Sequence, residues 1–221
     1  MDLVIRCAHL PEPGETIIGK SCAEVPGGKG ANQAVAASRA GGAVTMIGRV
    51  GDDAFSARLL ANLKSENVAI DSVTSTSDCP SGVAVVAVDD HGENAIMVVP
   101  GANGQLHPDD VNHAADLIRQ ADLLLVQLEV PLATVAAAVS VAEQSDVPII
   151  LNPAPMPTSL PAELTHVDVL CPNQSEASVI LGKAVESIEE ACDAAQQIRT
   201  LGAKNVIITL GSSGAAVADP S

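Results

Sequence analysis

Pro26-Gly27-Gly28-Lys29-Gly30-Ala31-Asn32-Gln33, followed by Ala34-Val35-Ala36-Ala37-Ser38-Arg39-Ala40-Gly41-Gly42, is the stretch on which the fold turns. Three glycines within four positions free the backbone from the Cβ penalty, so it can turn sharply and lie against a ligand. The composition then changes to Ala, Gln, Val and Arg, which favour helix, until Gly41 offers a stop. A glycine turn feeding a helix presents first-turn N–H groups to oxygens. Lys29 and Asn32 add donors, and Asn32 an acceptor, at the same mouth. That chemistry suits a polyhydroxylated or phosphorylated small molecule. Spacing alone does not separate it from a structural turn packed on a strand.

Working outward, the rest of the chain reads as alternating strands and helices. Leu3-Val4-Ile5 and Thr16-Ile17-Ile18 are strand-like, and Val44-Thr45-Met46-Ile47-Gly48 follows the first helix as a buried strand. Residues 53–66 place Phe55, Leu59, Leu60 and Leu63 on one helical face. Gly82–Ala87 and Asn94–Val99, joined by Asp89–Glu93, predict a hairpin. From Pro108 helices near 109–120, 132–144 and 174–181 alternate with strands at 123–126, 148–151 and 167–170. A further helix, with Ser187 and Glu190 spaced as a capping box, runs to Gly202 before strand Val206–Thr209. Apolar strands alternating with helices predict a three-layer α/β/α, Rossmann-like, mostly parallel sheet. Residues 1–25 and 82–99 break the alternation and predict a small β lid over a core of 26–81 and 100–221, the whole forming one domain.

Composition narrows the partners. With 27 acidic against 11 basic side chains, the formal charge is −16, a field that repels nucleic acid and anionic membranes. Phe55 is the only aromatic residue, so no base-stacking platform exists. Five scattered cysteines and no leader-like segment predict reduced thiols in the cytoplasm. No apolar run approaches the roughly 18 residues of a membrane span.

Two motif matches are set aside. Gly14–Ser21 fits the letters of a phosphate-binding P-loop, but its interior is β-branched and Cys22-Ala23-Glu24-Val25-Pro26 opens no helix. A dinucleotide fingerprint fails because Gln33 stands at the third glycine position. The histidines show no metal-ligand spacing, and Ser212-Ser213 do not form a nucleophile elbow.

Three strand ends and one loop carry candidate chemistry, because ligands in open α/β sheets bind beyond the carboxyl ends of the strands. They are Gln127-Leu128-Glu129, Asn152-Pro153-Ala154-Pro155, Pro172-Asn173-Gln174-Ser175-Glu176 and Thr209-Leu210-Gly211-Ser212-Ser213-Gly214. Glu129 can accept from sugar hydroxyls, and Asn173 and Glu176 can hold a nucleotide and the water shell of Mg²⁺. Equally, Asn173 can be an N-cap and Glu176 a helix-dipole partner. The loop from Thr209 can line a phosphate tail or be a plain turn.

Taken together, these segments resemble the ribokinase-type, or phosphofructokinase-B, carbohydrate kinases along essentially the whole chain. Gly27–Ala34 with Gly41 and Gly51 fits the family's N-terminal signature. Pro13-Gly14-Glu15-Thr16, Gln127-Leu128-Glu129 and Leu151-Asn152-Pro153-Ala154-Pro155 resemble its ribokinase branch more than its fructokinase branch.

The resemblance implies transfer of a phosphoryl group from ATP to D-ribose, with Mg²⁺ required and K⁺ activating. It implies that Asp2, Gly28, Lys29, Gly30, Ala31, Asn32 and Glu129 hold the sugar. Asn173 and the loop Thr209, Leu210, Gly211, Ser212, Ser213 and Gly214 would hold ATP, with Glu176 near the metal. It also implies a homodimer through the β lid. Other sugar or nucleoside kinases of the family, acting on fructose or deoxyribose, and a non-catalytic sugar-binding or dimerisation module are the alternatives.

Ser56 departs from the family's glycine after the Gly-Asp-Asp turn. The family's Gly-Ala-Gly-Asp segment, with the catalytic aspartate and the neighbouring K⁺ site, is expected beyond Ser221, and its first core strand before Met1. The 221 residues are accordingly expected to be an incomplete, inactive kinase domain.

Overall fold

Small and β-branched residues build most of this mixed α/β chain, and the computed structural model describes residues 1–220. The chain divides into two compact units, Met1–Leu106 and the residues from His107 onward.

The first unit comprises β1 (Asp2–Arg6), β2 (Ser21–Val25), α1 (Lys29–Arg39), β3 (Val44–Val50), α2 (Ala54–Ser65), β4 (Val68–Ser75), β5 (Val83–Val88) and β6 (Asn94–Val99). Four strands drawn from its two ends form one sheet in the order β2-β1-β5-β6. Within it β1 runs parallel to β5, while β2 and β6 are antiparallel edge strands. β3 and β4 pair in parallel as a second sheet. Ala34 of α1, Leu63 of α2 and Val68 of β4 form the buried core against that pair, with Met46 and Ile70 packed beside them.

The second unit comprises α3 (Pro108–His113), α4 (Ala115–Arg119), β7 (Leu124–Val126), α5 (Leu132–Glu143), β8 (Ile149–Leu151), β9 (Val169–Leu170), α6 (Gln174–Leu181), α7 (Ile188–Arg199), β10 (Asn205–Thr209) and β11 (Ala215–Ala218). Its sheet runs β11-β10-β9-β8-β7, with β7 to β10 all parallel and β11 antiparallel at the edge. Ile149, Leu151, Leu170, Val206 and Ile208 are fully buried strand residues, as are Ala191, Ala194, Ala195 and Ile198 on α7. The box foreseen for α7 is present: Glu190 N donates to Ser187 Oγ at 3.1 Å and Ser187 N to Glu190 Oε2 at 3.2 Å.

Several expectations shift. The second strand is Ser21–Val25, not Thr16–Ile18, and Ile18 is 92% exposed. The ladder with β1 ends at Arg6↔Ser21, so the β-branched run lies past its last rung. Gly14–Ser21 therefore runs into a strand and has no helix N-terminus to offer a phosphate. The helix expected over 109–120 is two helices separated at Ala114, whose φ of −96° and ψ of 8° depart from helical values. β4 and β11 were not foreseen.

Candidate functional site

In the first unit the glycine turn and the start of β1 meet. Asp2 pairs with Val25, so the chain leaving β2 passes beside it as Pro26-Gly27-Gly28. The Asp2 carboxylate lies directly over Gly27: a Cβ placed there would fall 2.1 Å from Asp2 Oδ2 and 2.4 Å from its Cγ. Gly28 caps α1 with φ 101° and ψ 134°, a conformation open to glycine and strained for other residues. Helix α1 begins at Lys29, a turn earlier than its alanine run, which places Lys29, Gly30, Ala31 and Asn32 in its first turn.

No side chain caps α1 and no acidic residue sits in its first turn. The start of α5 is alike in both respects, whereas α2, α6 and α7 are capped by side chains. The N-terminal pole of α1 is thus positive and begins two residues after the glycine that the Asp2 carboxylate overlies, a combination that matches hydroxyl groups able both to accept and to donate. Asn32 is exposed and lines a cleft of about 400 Å³ with Pro26, Val35, Ala36, Arg39, Asn62 and Glu66.

In the second unit the parallel strands deliver the other candidates to one edge of the sheet. Leu128 N donates to Ala154 O at 2.9 Å, which binds the Gln127-Leu128-Glu129 segment to the tip of β8. Asn152 Nδ2 donates to Cys171 O at 2.9 Å, joining the tips of β8 and β9. Thr209 N donates to Pro172 O at 3.0 Å, and Asn173 and Thr209 form an isolated parallel bridge. Glu129, Asn173 and the loop Thr209–Gly214 therefore all leave the carboxyl ends of β7, β9 and β10. Residues 211–214 of that loop are exposed, with a short 3₁₀ turn at Gly211–Ser213.

Asn173 and Glu176 also perform the bland roles open to them. Asn173 Oδ1 accepts from Glu176 N at 2.8 Å, and Glu176 Oε2 accepts from Asn173 N at 2.8 Å, a reciprocal box that starts α6. Glu176 is only 9% exposed. Burial pushes the neighbouring Cys171 thiol up, and the Glu176 charge adds to that shift, so Cys171 is no ready nucleophile. Asp2 with the α1 turn forms one group and Glu129, Asn173, Glu176 and the Thr209–Gly214 loop a second, each within its own unit.

The sequence places Gly27 in the glycine turn but gives no sign that its small size is what admits Asp2. Sequence reasoning noted Asn152 at a strand end without the bond that gives it a role. A glycine doublet just after a strand is a signal for the turn alone. A cross-strand amide leaves none.

The whole chain, residues 1–221, matches the pfkB family carbohydrate kinases. It is 39% identical to a ribokinase of Bacillus subtilis over 96% of this chain and 72% of that protein. To a deoxyribokinase of Salmonella typhi it is 34% identical, over 97% of this chain and 71% of the relative. Among solved structures, that of Arabidopsis thaliana ribokinase complexed with ribose and ATP superposes with a TM-score of 0.87 at 33% identity, covering 99% of this chain and 72% of that one. The glycine turn, the strand-end cluster and these likenesses agree, and the chain belongs to the pfkB family of carbohydrate kinases.

Proposed function

We propose that this carbohydrate kinase uses ATP to phosphorylate D-ribose, giving ribose 5-phosphate and ADP. The observation that carries the reading is the Asp2 carboxylate seated over Gly27 at the uncapped start of α1. The likeness to ribokinases supports it, including one whose structure holds ribose and ATP.

In this reading Asp2 accepts from sugar hydroxyls, and the backbone from Gly28 to Ala31 and the Asn32 side chain donate to them, the Asn32 N–H being held by Gly28 O at 2.9 Å. Glu129 is proposed as a further acceptor for the sugar. Residues 1–25 and 82–99 form the lid. Asn173 and the loop Thr209–Gly214 take ATP. Mg²⁺ fits the donor set, since it is commonly held by one or two carboxylates together with substrate phosphates, and Glu176 keeps Oε1 for its water shell. K⁺ activation belongs to the same reading, with none of these residues assigned to it.

The sugar oxygen attacks the γ-phosphorus as the bond to the β,γ-bridging oxygen breaks, and the hydroxyl proton needs a base. No Gly-Ala-Gly-Asp segment occurs among the 221 residues. We therefore expect them to bind sugar and nucleotide with little or no turnover by themselves. A coupled ADP-release assay on this chain should show no ribose-dependent signal while calorimetry detects ribose. Substantial ribose-dependent turnover would sink the claim of inactivity, and absence of ribose binding would sink the assignment.

Deoxyribose phosphorylation is the second reading, favoured by the Salmonella typhi relative. Tighter binding of 2-deoxyribose than ribose would select it. The five free cysteines support a reducing, cytoplasmic setting. Homodimerisation through the β2-β1-β5-β6 sheet is supported by the exposed Ile96, Met97, Val98 and Val99 of β6 and Val25 of β2.

A further inference from the structure

A knot of polar groups at the feet of β5 and β6 is left unused by the ligand assignments. Asp53 Oδ1 accepts from Phe55 N and Ser56 N, each at 3.1 Å, and from Ser81 Oγ at 2.8 Å. Asp53 Oδ2 accepts from Ser81 N at 2.8 Å. Ser81 is 1% exposed, and its hydroxyl oxygen accepts in turn from Gly51 N at 3.0 Å. Close approach demands glycine at 51, where a Cβ would fall 2.1 Å from Ser81 N. Pro80 O accepts from Ala102 N at 2.9 Å, so the chain leaving β6 is tied to the same point.

From this knot an unbroken run of bonds leads to the proposed sugar site. Gly82, next after Ser81, accepts at its carbonyl from Met1 N at 2.8 Å. Ala84 N donates to Met1 O at 2.9 Å, and the parallel register sets Asp2 opposite Ala84. At the end of that run stands the carboxylate lying over Gly27. We propose that Asp53 is a positioning residue for the sugar site, fixing the foot of β5 through Ser81 and so the place of Asp2 over the glycine turn.

The chemistry requires a carboxylate at position 53. Four donors converge on its two oxygens, and an amide would turn an NH₂ toward one of them. Burial raises the Asp53 carboxyl, but the bonds from Ser81 and the α2 amides outweigh it and hold it below the usual carboxylate range. The group is therefore ionised at neutral pH. Capping α2 alone would need no contact with Ser81, so the two bonds from Ser81, one to each oxygen, are what give Asp53 its longer reach.

The inference rests on the ribose reading above, and its test separates the two. Ribose and ATP affinities are measured by calorimetry on the unsubstituted chain, Asp53→Asn, Asp2→Asn and the double variant. Asp53→Asn should weaken ribose about ten-fold and leave ATP affinity and circular dichroism unchanged. In the Asp2→Asn background it should add little, because the two residues act along one path. Should Asp53→Asn fail to fold, Ser81→Ala removes the hydroxyl's bonds to Asp53 and Gly51 while keeping the Ser81 N link, and should weaken ribose about three-fold. Unchanged ribose affinity in the folded variant, equal weakening of both ligands, or the full loss repeated in the Asp2→Asn background would overturn the proposal. A flat ribose titration of the unsubstituted chain overturns the functional reading and this inference with it, before any variant is compared.

Discussion

At position 27 a methyl group has nowhere to go, because the Asp2 carboxylate occupies the space it would need. Gly27→Ala should displace that carboxylate and weaken ribose binding at least about ten-fold, while α1, which starts beyond Gly28, keeps its helicity. Calorimetry with circular dichroism checks both halves. Asn173 allows a different separation, since it caps α6 and is also proposed to touch ATP. Asn173→Ala should cost about 1 kcal/mol of stability as well as nucleotide affinity. Asn173→Ser keeps a capping oxygen, so thermal melting should hold while ATP affinity falls. If ATP binding survives in the serine variant, Asn173 is a cap and nothing more. At this scale the glycine turn was legible because clustered glycines admit backbone conformations closed to other residues, and the alanine-rich run behind them favours helix. Asp2 entered as a candidate only through family likeness, since its contact with Gly27 depends on a strand register that no local pattern encodes.

Among the elements, the start of β9 shows how a charged residue organises neighbouring strands. Asp168 Oδ2 accepts from Ile149 N of β8 at 2.8 Å, and its Oδ1 meets Lys204 Nζ, just before β10, at 2.6 Å. Its carbonyl oxygen accepts from Asn205 Nδ2 at 2.9 Å. Burial raises the Asp168 carboxyl, but Lys204 and the Ile149 amide lower it further, for a net fall below the usual value. A depressed carboxylate contributes stability above its unfolded pKa, about 3.9, and loses it as pH falls through the lower folded value. The melting temperature of the native chain should thus exceed that of Asp168→Asn near pH 6, and the gap should close progressively below about pH 4. A gap independent of pH would show that the charge is not what matters. The elements hidden from sequence reasoning have physical explanations of their own. β4 carries Asp71, Ser72, Thr74 and Ser75, so its composition reads as a loop, yet pairing with β3 and packing by α2 make it a strand. β11 is short and made of alanines and one valine, with too little hydrophobic contrast to announce a strand before β10 offers it an edge.

For the whole molecule, the exposed apolar row Ile96–Val99 on an edge strand is the feature most in need of a partner. Sedimentation equilibrium should show a dimer for the native chain and a monomer for Met97→Glu, with ribose binding retained in the monomer. Each chain carries a formal charge of −16, so association should tighten as salt screens the repulsion. Association that weakens with salt would point to contacts other than this apolar face. Family membership was legible at this scale because several spaced motifs coincide, none of them decisive singly. Division of the chain near Leu106 was not, because the boundary falls between two helical turns with no change in composition.

The parallel pairing of β1 with β5 has a consequence for how the protein is made. Leu3-Val4-Ile5 leaves the ribosome roughly eighty residues ahead of its partner Val85-Val86-Ala87. At about 5–20 residues per second, that leaves some four to sixteen seconds of synthesis during which the strand has only β2 beside it. Through that interval the apolar segment is open to wrong association, so the pace of synthesis before position 83 bears on how much of the chain folds.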